Sequence, residues 1–273
     1  MKKLGFIGAG NMGRALARGL ADRKLFKPAQ MIASDVDAQQ RRKFSRATGI
    51  EVVRDNLDVV RQAPVIVIAV KPQIIDQVLA EIGGFVGANA NAARRLFISI
   101  AAGVPLARLS SHLGARSRII RVMPNAPAMV GEGMAALVSA PTATRSDLRI
   151  ALKLFRAVGQ AVVLNDESLL DAVTALSGSG PAYVYLFTQA MAQGGVEQGL
   201  PPKLAYQMAL QTLCGAVAQM RASKVPLEEL IRMVASPGGT TEAALRSFAA
   251  LGFSRVVAEA IKAAADRSRE LGS

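Results

Sequence analysis

The sequence is short of the residues that build most metal and disulfide sites. Its 273 residues contain one cysteine, Cys214, and one histidine, His112. A single cysteine excludes a disulfide within the chain and a cysteine-based metal site, and a single histidine argues against a histidine cluster. We therefore expect no bound metal and a reducing, cytoplasmic location.

Aromatic residues and long apolar runs are also scarce. Aromatic residues make up 4% of the chain, and there is no tryptophan. The most apolar short segment, VIVIAV at 65–70, suits a buried strand and is too short to span a bilayer, so we expect no membrane partner. Alanine and other small residues dominate the apolar set, which favours closely packed helices around a β core.

The positive charge is confined to one part of the chain. The net charge is +13, and residues 1–164 hold 24 of the 33 basic residues but only 10 of the 20 acidic ones. Such a field attracts polyanions, so a basic nucleic-acid binder is one alternative. No array of stacking aromatics, zinc finger or RNA-binding signature accompanies the charge. We interpret it as a basic surface that suits an anionic cofactor, and expect no nucleic-acid partner.

Short apolar runs alternate with helical patterns over the first part of the chain. This alternation predicts βαβ units and a parallel sheet. The predicted strands are 3–8, 30–34, 64–70, 96–101, 118–123, 134–140 and 161–165. The predicted helices between them are 11–23, 37–48, 73–83 and about 144–158.

After Asn165 the strand patterns stop. Helices are predicted at 180–200, 201–223, 226–235 and 253–271. The predicted fold class is α/β, with a Rossmann-type parallel sheet domain (1–164) followed by an all-α domain (165–273). This alanine-rich helical part has little to bury against within one subunit, so we expect it to pair with a second copy.

The segment GAGNMG at 8–13 fits the dinucleotide-binding pattern G-x-G-x-x-G. It follows a predicted strand and opens a predicted helix, which is the context that the pattern requires. Gly8 permits the tight turn, Gly10 lets a pyrophosphate approach the backbone, and Gly13 lets the helix pack close to the strand. The free N–H groups at the helix start then face the phosphates.

The end of the second predicted strand bears on the choice of cofactor. Asp35 lies where a ribose-binding carboxylate is found in NAD-dependent proteins. Ser34 precedes it, and the basic run Arg41, Arg42 and Lys43 follows, which suits a 2′-phosphate or simply a solvated helix face. These residues leave the choice between NADH and NADPH open.

Two more predicted strands end in segments that suit a ligand. AVKP at 69–72 and IAAG at 100–103 lie at strand C-termini, where doubly wound sheets bind ligands. Lys71 there could steer an anion or donate a proton. The turn-rich segment MPNAPAMVGEG at 123–133 could close over a nicotinamide or serve only as a connection.

The C-terminal part contains two further loops rich in glycine, serine and threonine. SGSGPAY at 177–183 and SPGGTTEAA at 236–244 each lead into a helical pattern. Loop N–H groups and a helix dipole can hold a carboxylate without arginine. Helix capping by serine or threonine is the alternative, but it does not require two consecutive glycines.

The combination of these motifs resembles the pyrroline-5-carboxylate reductase family. The resemblance runs from residue 4 to about 271, and its last two motifs are the specific ones. The motifs, in order, are FIGAGNMG, AVKPQ, SIAAG, MPNAPA, DAVTALSGSGPAY and VASPGGTTEAAL. Ala249 departs from the family pattern, which more often has a polar or acidic residue there.

The resemblance implies hydride transfer from NADPH, or NADH as an alternative, to the C=N carbon of 1-pyrroline-5-carboxylate, giving L-proline. This is the last step of proline biosynthesis. It also implies which residues bind the cofactor. These are Gly8, Ala9, Gly10, Asn11, Met12 and Gly13 in the first loop, Ser34, Asp35 and Asn56 on the adenosine side, and Ala69, Val70, Lys71, Pro72, Ala101, Ala102 and Gly103 at the strand ends.

The substrate site implied by the resemblance lies in the later loop. Its members are Ser236, Gly238, Gly239, Thr240 and Thr241, which grip the carboxylate, and Glu167 as a second substrate contact. Thr241 matches a hydroxyl near the ring nitrogen and is the candidate catalytic residue. A cyclic imine is readily protonated, so a threonine hydroxyl or an ordered water suffices as the acid.

The family also implies a homodimer through the helical domain, with larger rings such as a decamer. Other classes of protein share some of these features. A β-hydroxyacid dehydrogenase or imine reductase shares the two-domain plan, but the former needs a lysine in the helix that follows the boundary, and SGSGPAYVYLFTQAMAQGG has none. A nucleotide-sensing regulator would not need the second loop.

Overall fold

The computed structural model describes residues 2–89 and 91–272 of the chain. Within these residues, an eight-stranded sheet is followed by an all-helical region. The predicted fold class is confirmed.

The sheet places the expected strand ends side by side. Its strands are β1 (Leu4–Ile7), β2 (Met31–Ser34), β3 (Glu51–Val53), β4 (Val65–Ile68), β5 (Leu96–Ser99), β6 (Arg118–Met123), β7 (Gly133–Ser139) and β8 (Gly159–Val163). They are ordered β3-β2-β1-β4-β5-β6-β7-β8. The first six strands follow the order of dinucleotide-binding sheets.

Two features of the sheet differ from the prediction. β7 runs antiparallel to β6, while every other neighbouring pair is parallel. The short connection between β6 and β7 carries no crossover helix, which a parallel pair would require. β3 was not predicted, because three residues at the sheet edge leave little periodic pattern.

Seven helices accompany the sheet within the described residues. They are α1 (Asn11–Asp22), α2 (Ala38–Thr48), α3 (Asn56–Gln62), α4 (Ile75–Ala88), α5 (Leu106–Leu113), α6 (Arg145–Phe155) and α7 (Leu169–Val173). The helices α3, α5 and α7 were not predicted. They have 7, 8 and 5 residues, which is too few for a clear helical period.

The core lies on both faces of the sheet. Phe6 packs with Leu16 and Phe44 in one cluster, whereas the next residue, Ile7, packs with Leu79 in the other. Successive strand residues point to opposite faces, so a run of buried apolar residues in β1 serves both layers. This two-sided packing fixes the strand ends at which the candidate site lies.

The chain divides into two compact units. Residues up to Ser179 and those from Ala264 onward form the sheet unit, and Gly180–Ala263 form the helical unit. α7 packs within the sheet unit, so the division by contacts falls after it and not at residues 164/165. The predicted functional boundary at 164/165 stays a prediction.

The later helices are α8 (Gly180–Glu197), α9 (Pro202–Ala222), α10 (Leu227–Val234), α11 (Thr240–Ala250) and α12 (Phe253–Gly272). Large apolar side chains of the helical unit are exposed, among them Tyr185, Tyr206 and Leu210. An apolar surface of this kind is typical of an interaction site. None of the described helices has the length and apolar character needed to cross a membrane.

Candidate active site

The glycine loop connects β1 to α1 with the geometry that its sequence predicts. Gly8 has φ of +99°, and a Cβ there would lie 2.7 Å from the carbonyl oxygen of Ala69. A Cβ on Gly13 would lie 2.9 Å from the carbonyl oxygen of Gly8. A Cβ on Gly10 would meet nothing within 4 Å, so this glycine borders open space. Gly10 is also the N-cap of α1 and makes no side-chain cap, which leaves the helix start open to an anion.

Asp35 connects the glycine loop to the end of β2 by a hydrogen bond. Its Oδ2 accepts a hydrogen bond from the Ala9 N–H at 2.8 Å, and its Oδ1 accepts one from the Asp37 N–H at 2.9 Å. The Arg41 guanidinium donates to the carbonyl oxygens of Asp35 and Val36 at 2.8 and 2.9 Å. A carboxylate and a guanidinium therefore both stand where the ribose of a dinucleotide is expected.

Ser34 and Asn56 are brought together, as two residues of one site should be. The Ser34 hydroxyl donates to Asn56 Oδ1 at 2.8 Å, and both residues are buried. Asn56 Nδ2 in turn donates to Glu81 Oε2 at 2.8 Å. Glu81, on α4, was not predicted. This chain of hydrogen bonds satisfies the buried polar groups and fixes the end of β2, which is predicted to meet the adenosine half of a cofactor.

The ends of β4 and β5 lie next to the glycine loop. The Ala69 N–H donates to the carbonyl oxygen of Ile7 at 2.7 Å, and Ile100 N–H donates to that of Ile68 at 3.0 Å. These bonds continue the ladder past the strand ends, so the segments 69–72 and 101–103 begin at the same sheet edge. Lys71 there is exposed. Gly103 has φ of +71° and packs against Leu271 of α12.

The two helices that follow these segments are joined by an ion pair. Asp76, in the first turn of α4, accepts hydrogen bonds from Arg108 of α5, one of them from Nε at 2.9 Å. His112 Nε2 lies 3.8 Å from the same carboxylate. Hydrogen bonding from Arg108 lowers the pKa of Asp76 below its usual value. The pair links the two helices whose preceding loops border the site.

Glu167 is held by the sheet unit in this structure. Its Oε1 accepts hydrogen bonds from the Leu106 N–H at 2.8 Å and from Arg121 Nη1 at 2.7 Å. Arg121 lies on β6 and is 8% exposed, whereas the Glu167 side chain is 30% exposed, so the ion pair is only partly desolvated. The predicted substrate contact of Glu167 stays a prediction. The bonds it makes here position the start of α5.

A π-helical turn, Thr174–Gly178, lies within the motif DAVTALSGSGPAY and directly follows α7. Asn125, in the 123–133 segment, donates from Nδ2 to the Ser177 carbonyl oxygen at 3.1 Å and accepts from the Met134 N–H at 2.8 Å. The segment therefore docks on this turn. Turns of this kind are frequent at functional sites.

The second loop leads into α11 without a side-chain cap at the start of the helix. Gly238 has φ of +70°, and the N-cap Gly239 carries no side-chain cap. The Gly238 N–H donates to Glu242 Oε2 at 2.5 Å. The structure therefore does not use the hydroxyls of this loop for helix capping, which was the alternative explanation of its composition.

Among the residues that the structure describes, the hydroxyls of Thr240 and Thr241 make no hydrogen bond within the helical unit. The backbone N–H groups of both residues lie in the first turn of α11, where the helix itself provides no acceptor. Glu242 was not predicted as part of this loop. Its position three residues after the N-cap is the signal that could have identified it, because glutamate at that position reaches back to the cap. Among the described residues no group of three or more metal-ligating side chains occurs.

Family models match the two parts of the chain separately. Residues 167–271 match the model for pyrroline-5-carboxylate reductase dimerisation. Residues 3–103 match that for NADP oxidoreductase, coenzyme F420-dependent.

Individual relatives match almost the whole chain. A pyrroline-5-carboxylate reductase of Pseudomonas aeruginosa is 42% identical over 98% of this chain and 96% of its own. The solved reductase of Coxiella burnetii superposes with a TM-score of 0.91 at 31% identity, over 100% of this chain and 99% of its own. The Plasmodium falciparum pyrroline carboxylate reductase with NADP bound gives 0.88 at 33% identity, over 100% of this chain and 98% of its own. This chain belongs to the pyrroline-5-carboxylate reductase family.

Proposed function

We propose that this chain reduces 1-pyrroline-5-carboxylate to L-proline, with hydride from NADPH or NADH, as the last step of proline biosynthesis. Full-length similarity to reductases of this name carries the proposal. Two glycine-containing loops support it, since each opens a helix without a side-chain cap, one at Gly10 and one at Gly239. Two such loops suit a reaction that joins an anionic cofactor to a small carboxylate.

The cofactor half of the site is formed by the sheet unit. The open space at Gly10 and the uncapped start of α1 fit a pyrophosphate. The residues expected to line the cofactor follow the ends of neighbouring strands or help to fix them. They are Gly8 to Gly13, Ser34, Asp35, Asn56, and the segments 69–72 and 101–103. The reduced nicotinamide, when bound, supplies the hydride.

The substrate half is formed by the loop Ser236–Thr241. Its first-turn N–H groups and two threonine hydroxyls can donate to a substrate carboxylate, and the neighbouring Gly238 N–H already donates to a carboxylate, that of Glu242. The Thr241 hydroxyl then holds the ring nitrogen, either as proton donor or through an ordered water. Catalysis depends mainly on positioning, because the imine is easily protonated.

The helical unit is the proposed dimerisation region. The matched dimerisation model and the exposed apolar side chains of α8 and α9 support a homodimer, from which rings such as a decamer could assemble. A cytoplasmic location is proposed because the lone cysteine, Cys214, is exposed and free.

No lysine occurs in α8, which disfavours the alternative that the chain is a β-hydroxyacid dehydrogenase.

The deciding experiment is a spectrophotometric assay of NADPH and NADH oxidation with 1-pyrroline-5-carboxylate. We expect absorbance loss that depends on the imine, with L-proline as the product detected by chromatography. A reaction without the imine is the control. Failure of both cofactors to turn over, with a protein that still binds NADPH, would contradict the proposal.

A further inference from the structure

Four cations surround a cleft at one end of α1 and α6. Arg23 directly follows α1, while Arg149 and Lys153 lie on α6 and Arg156 directly follows it. With Leu25 and Ala157 they line a cleft of about 530 Å³. Among the described residues no carboxylate lines this cleft. Its volume lies within the range of small-molecule sites, roughly 300–1,000 Å³.

These four side chains have no partner among the residues that the structure describes. The nearest acidic residues along the two helices are committed elsewhere. Asp22 pairs with Arg18 at 3.4 Å, and the buried Asp147 pairs with Arg118 at 2.8 Å. The cluster therefore keeps its positive charge without internal compensation.

Helix dipoles account for only part of this charge. A helix C-terminus carries about half a negative elementary charge, so two helix ends offset about one of the four positive charges. Single cations are common at helix C-termini. Four cations around one cleft repel one another unless a bound anion offsets their charge. The sequence shows the same excess, since most basic residues lie before residue 165.

The backbone beside the cleft is firmly packed, and the four cationic side chains that line it are exposed. Gly19 of α1 packs directly against the Val158 side chain, and Ala157 and Val158 are buried. An adjoining cleft of about 450 Å³ shares Arg23 and Ala157 with the first. A cationic surface on a packed backbone favours a compact anion, because only the exposed side chains need to be ordered on binding.

The cleft is distinct from the cofactor site. Gly10 precedes α1 and Arg23 follows it, so the 12 residues of α1 separate them. A helix of that length spans roughly 18 Å. The glycine loop and the cleft therefore lie at opposite ends of the same helix.

We propose that this cleft binds an oligophosphate, such as inorganic tripolyphosphate or the triphosphate chain of a nucleotide. Three guanidinium groups suit phosphate oxygens, which they bind in pairs, and Lys153 adds a point charge. The lining offers no aromatic side chain for a base to stack on. The phosphate chain alone is therefore what the cleft recognises, and ATP and tripolyphosphate bind with similar affinity.

Isothermal titration of tripolyphosphate into the purified protein at low salt tests this. With the glycine loop occupied by saturating NADPH, we expect one bound anion per chain. The cleft variant, Arg149→Gln with Lys153→Gln and Arg156→Gln, weakens binding by roughly tenfold or more, since exposed charge contacts are individually weak but act together here. The control variant changes the exposed cations Lys3, Arg46 and Arg145 to Gln and so loses the same net charge. It retains most of the affinity.

A second measurement separates the cleft from the cofactor site and from misfolding. NADPH binding, followed by fluorescence, stays unchanged in the cleft variant. Equal loss of tripolyphosphate binding in both triple variants, or full retention in the cleft variant, overturns the proposal. Binding of ATP without binding of tripolyphosphate overturns it as well.

Discussion

At the scale of single residues, the candidate site is marked by groups that the fold leaves uncommitted. The hydroxyl of Thr241 lies in the first turn of α11 and does not cap the helix. By contrast, Ser34, Asn56 and Glu167 are engaged in buried or half-buried hydrogen bonds. A residue of the first kind is available to a ligand, and residues of the second kind hold their own strand ends and helix starts in place.

Replacement of Thr241 tests the free hydroxyl. We expect Thr241→Ala to lower kcat/KM by roughly ten- to a thousandfold, the range for one lost transition-state hydrogen bond. Thr241→Ser keeps the hydroxyl and should retain most activity. Steady-state kinetics with varied imine measure the effect. Unchanged kinetics in the alanine variant would remove Thr241 from the mechanism.

Gly239 tests the separation of substrate and cofactor binding. A Cβ there would meet the Ser236 hydroxyl and lie 3.0 Å from the Ser236 carbonyl oxygen, so Gly239→Val should distort the loop. We expect substrate turnover to be lost while NADPH binding, measured by fluorescence titration, is spared. A parallel loss of NADPH affinity would contradict the assignment of the two loops to two ligands.

Asp35 tests the choice of cofactor. Its carboxylate holds the Ala9 N–H and places a negative charge near the expected ribose. Asp35→Asn keeps an acceptor oxygen and removes the charge. We expect the ratio of kcat/KM for NADPH to that for NADH to rise roughly fivefold, equivalent to about 1 kcal/mol of repulsion removed. Asp37→Asn, a change in the neighbouring carboxylate that caps α2, should leave the ratio unchanged.

At the scale of elements, helix starts and the ties between helices shape the site. The segments 69–72 and 101–103 precede α4 and α5, and the pair of Asp76 with Arg108 joins these two helices. The lowered pKa of Asp76 means that the pairing stabilises the fold above the unfolded pKa of aspartate, about 3.9, and that this stability is lost as pH falls through the lower folded value.

Removal of Arg108 tests this tie. We expect Arg108→Met to reduce the free energy of unfolding at neutral pH and the deficit relative to wild type to shrink as pH falls below about 4. Urea unfolding followed by circular dichroism measures both values across the pH range. Arg116→Met, at another exposed arginine, is the control. A deficit that is independent of pH would assign the effect to packing instead.

At the scale of the whole molecule, the chain carries apolar surface that a second copy can cover. Leu210 and Val217 of α9 are 44% and 42% exposed. They lie seven residues apart and therefore share a helix face. Burial of such side chains is the main favourable term in association.

Charges on this face test the proposed dimer. Light scattering after size-exclusion chromatography should give at least a dimer for the wild type at micromolar concentration. We expect Leu210→Asp with Val217→Asp to lower the measured mass, because carboxylates would have to be buried unpaired. Ile150→Asp, at an exposed apolar residue of α6, should not. A monomeric wild type would contradict the prediction.

The sequence could predict features whose signal is local. Glycine spacing in GAGNMG predicts a tight turn before a helix, and the short β-branched run VIVIAV suits a buried strand. The Rossmann-type sheet and its first loop therefore follow from local sequence patterns. The family motifs extended this to the reaction. The fold class, the family and the use of NAD(P)H are confirmed.

What only the tertiary structure decided depends on residues far apart in sequence. Arg121 and Glu167 are 46 positions apart and Ser34 and Asn56 are 22 apart, yet each pair shares a short hydrogen bond. The antiparallel direction of β7 and the cationic cleft between α1 and α6 likewise depend on residues far apart in sequence. No local period or spacing encodes such contacts, because they arise only when the packed sheet brings separate elements together. The sequence alone determined the loops and their chemistry, and the packing determined what holds them in place.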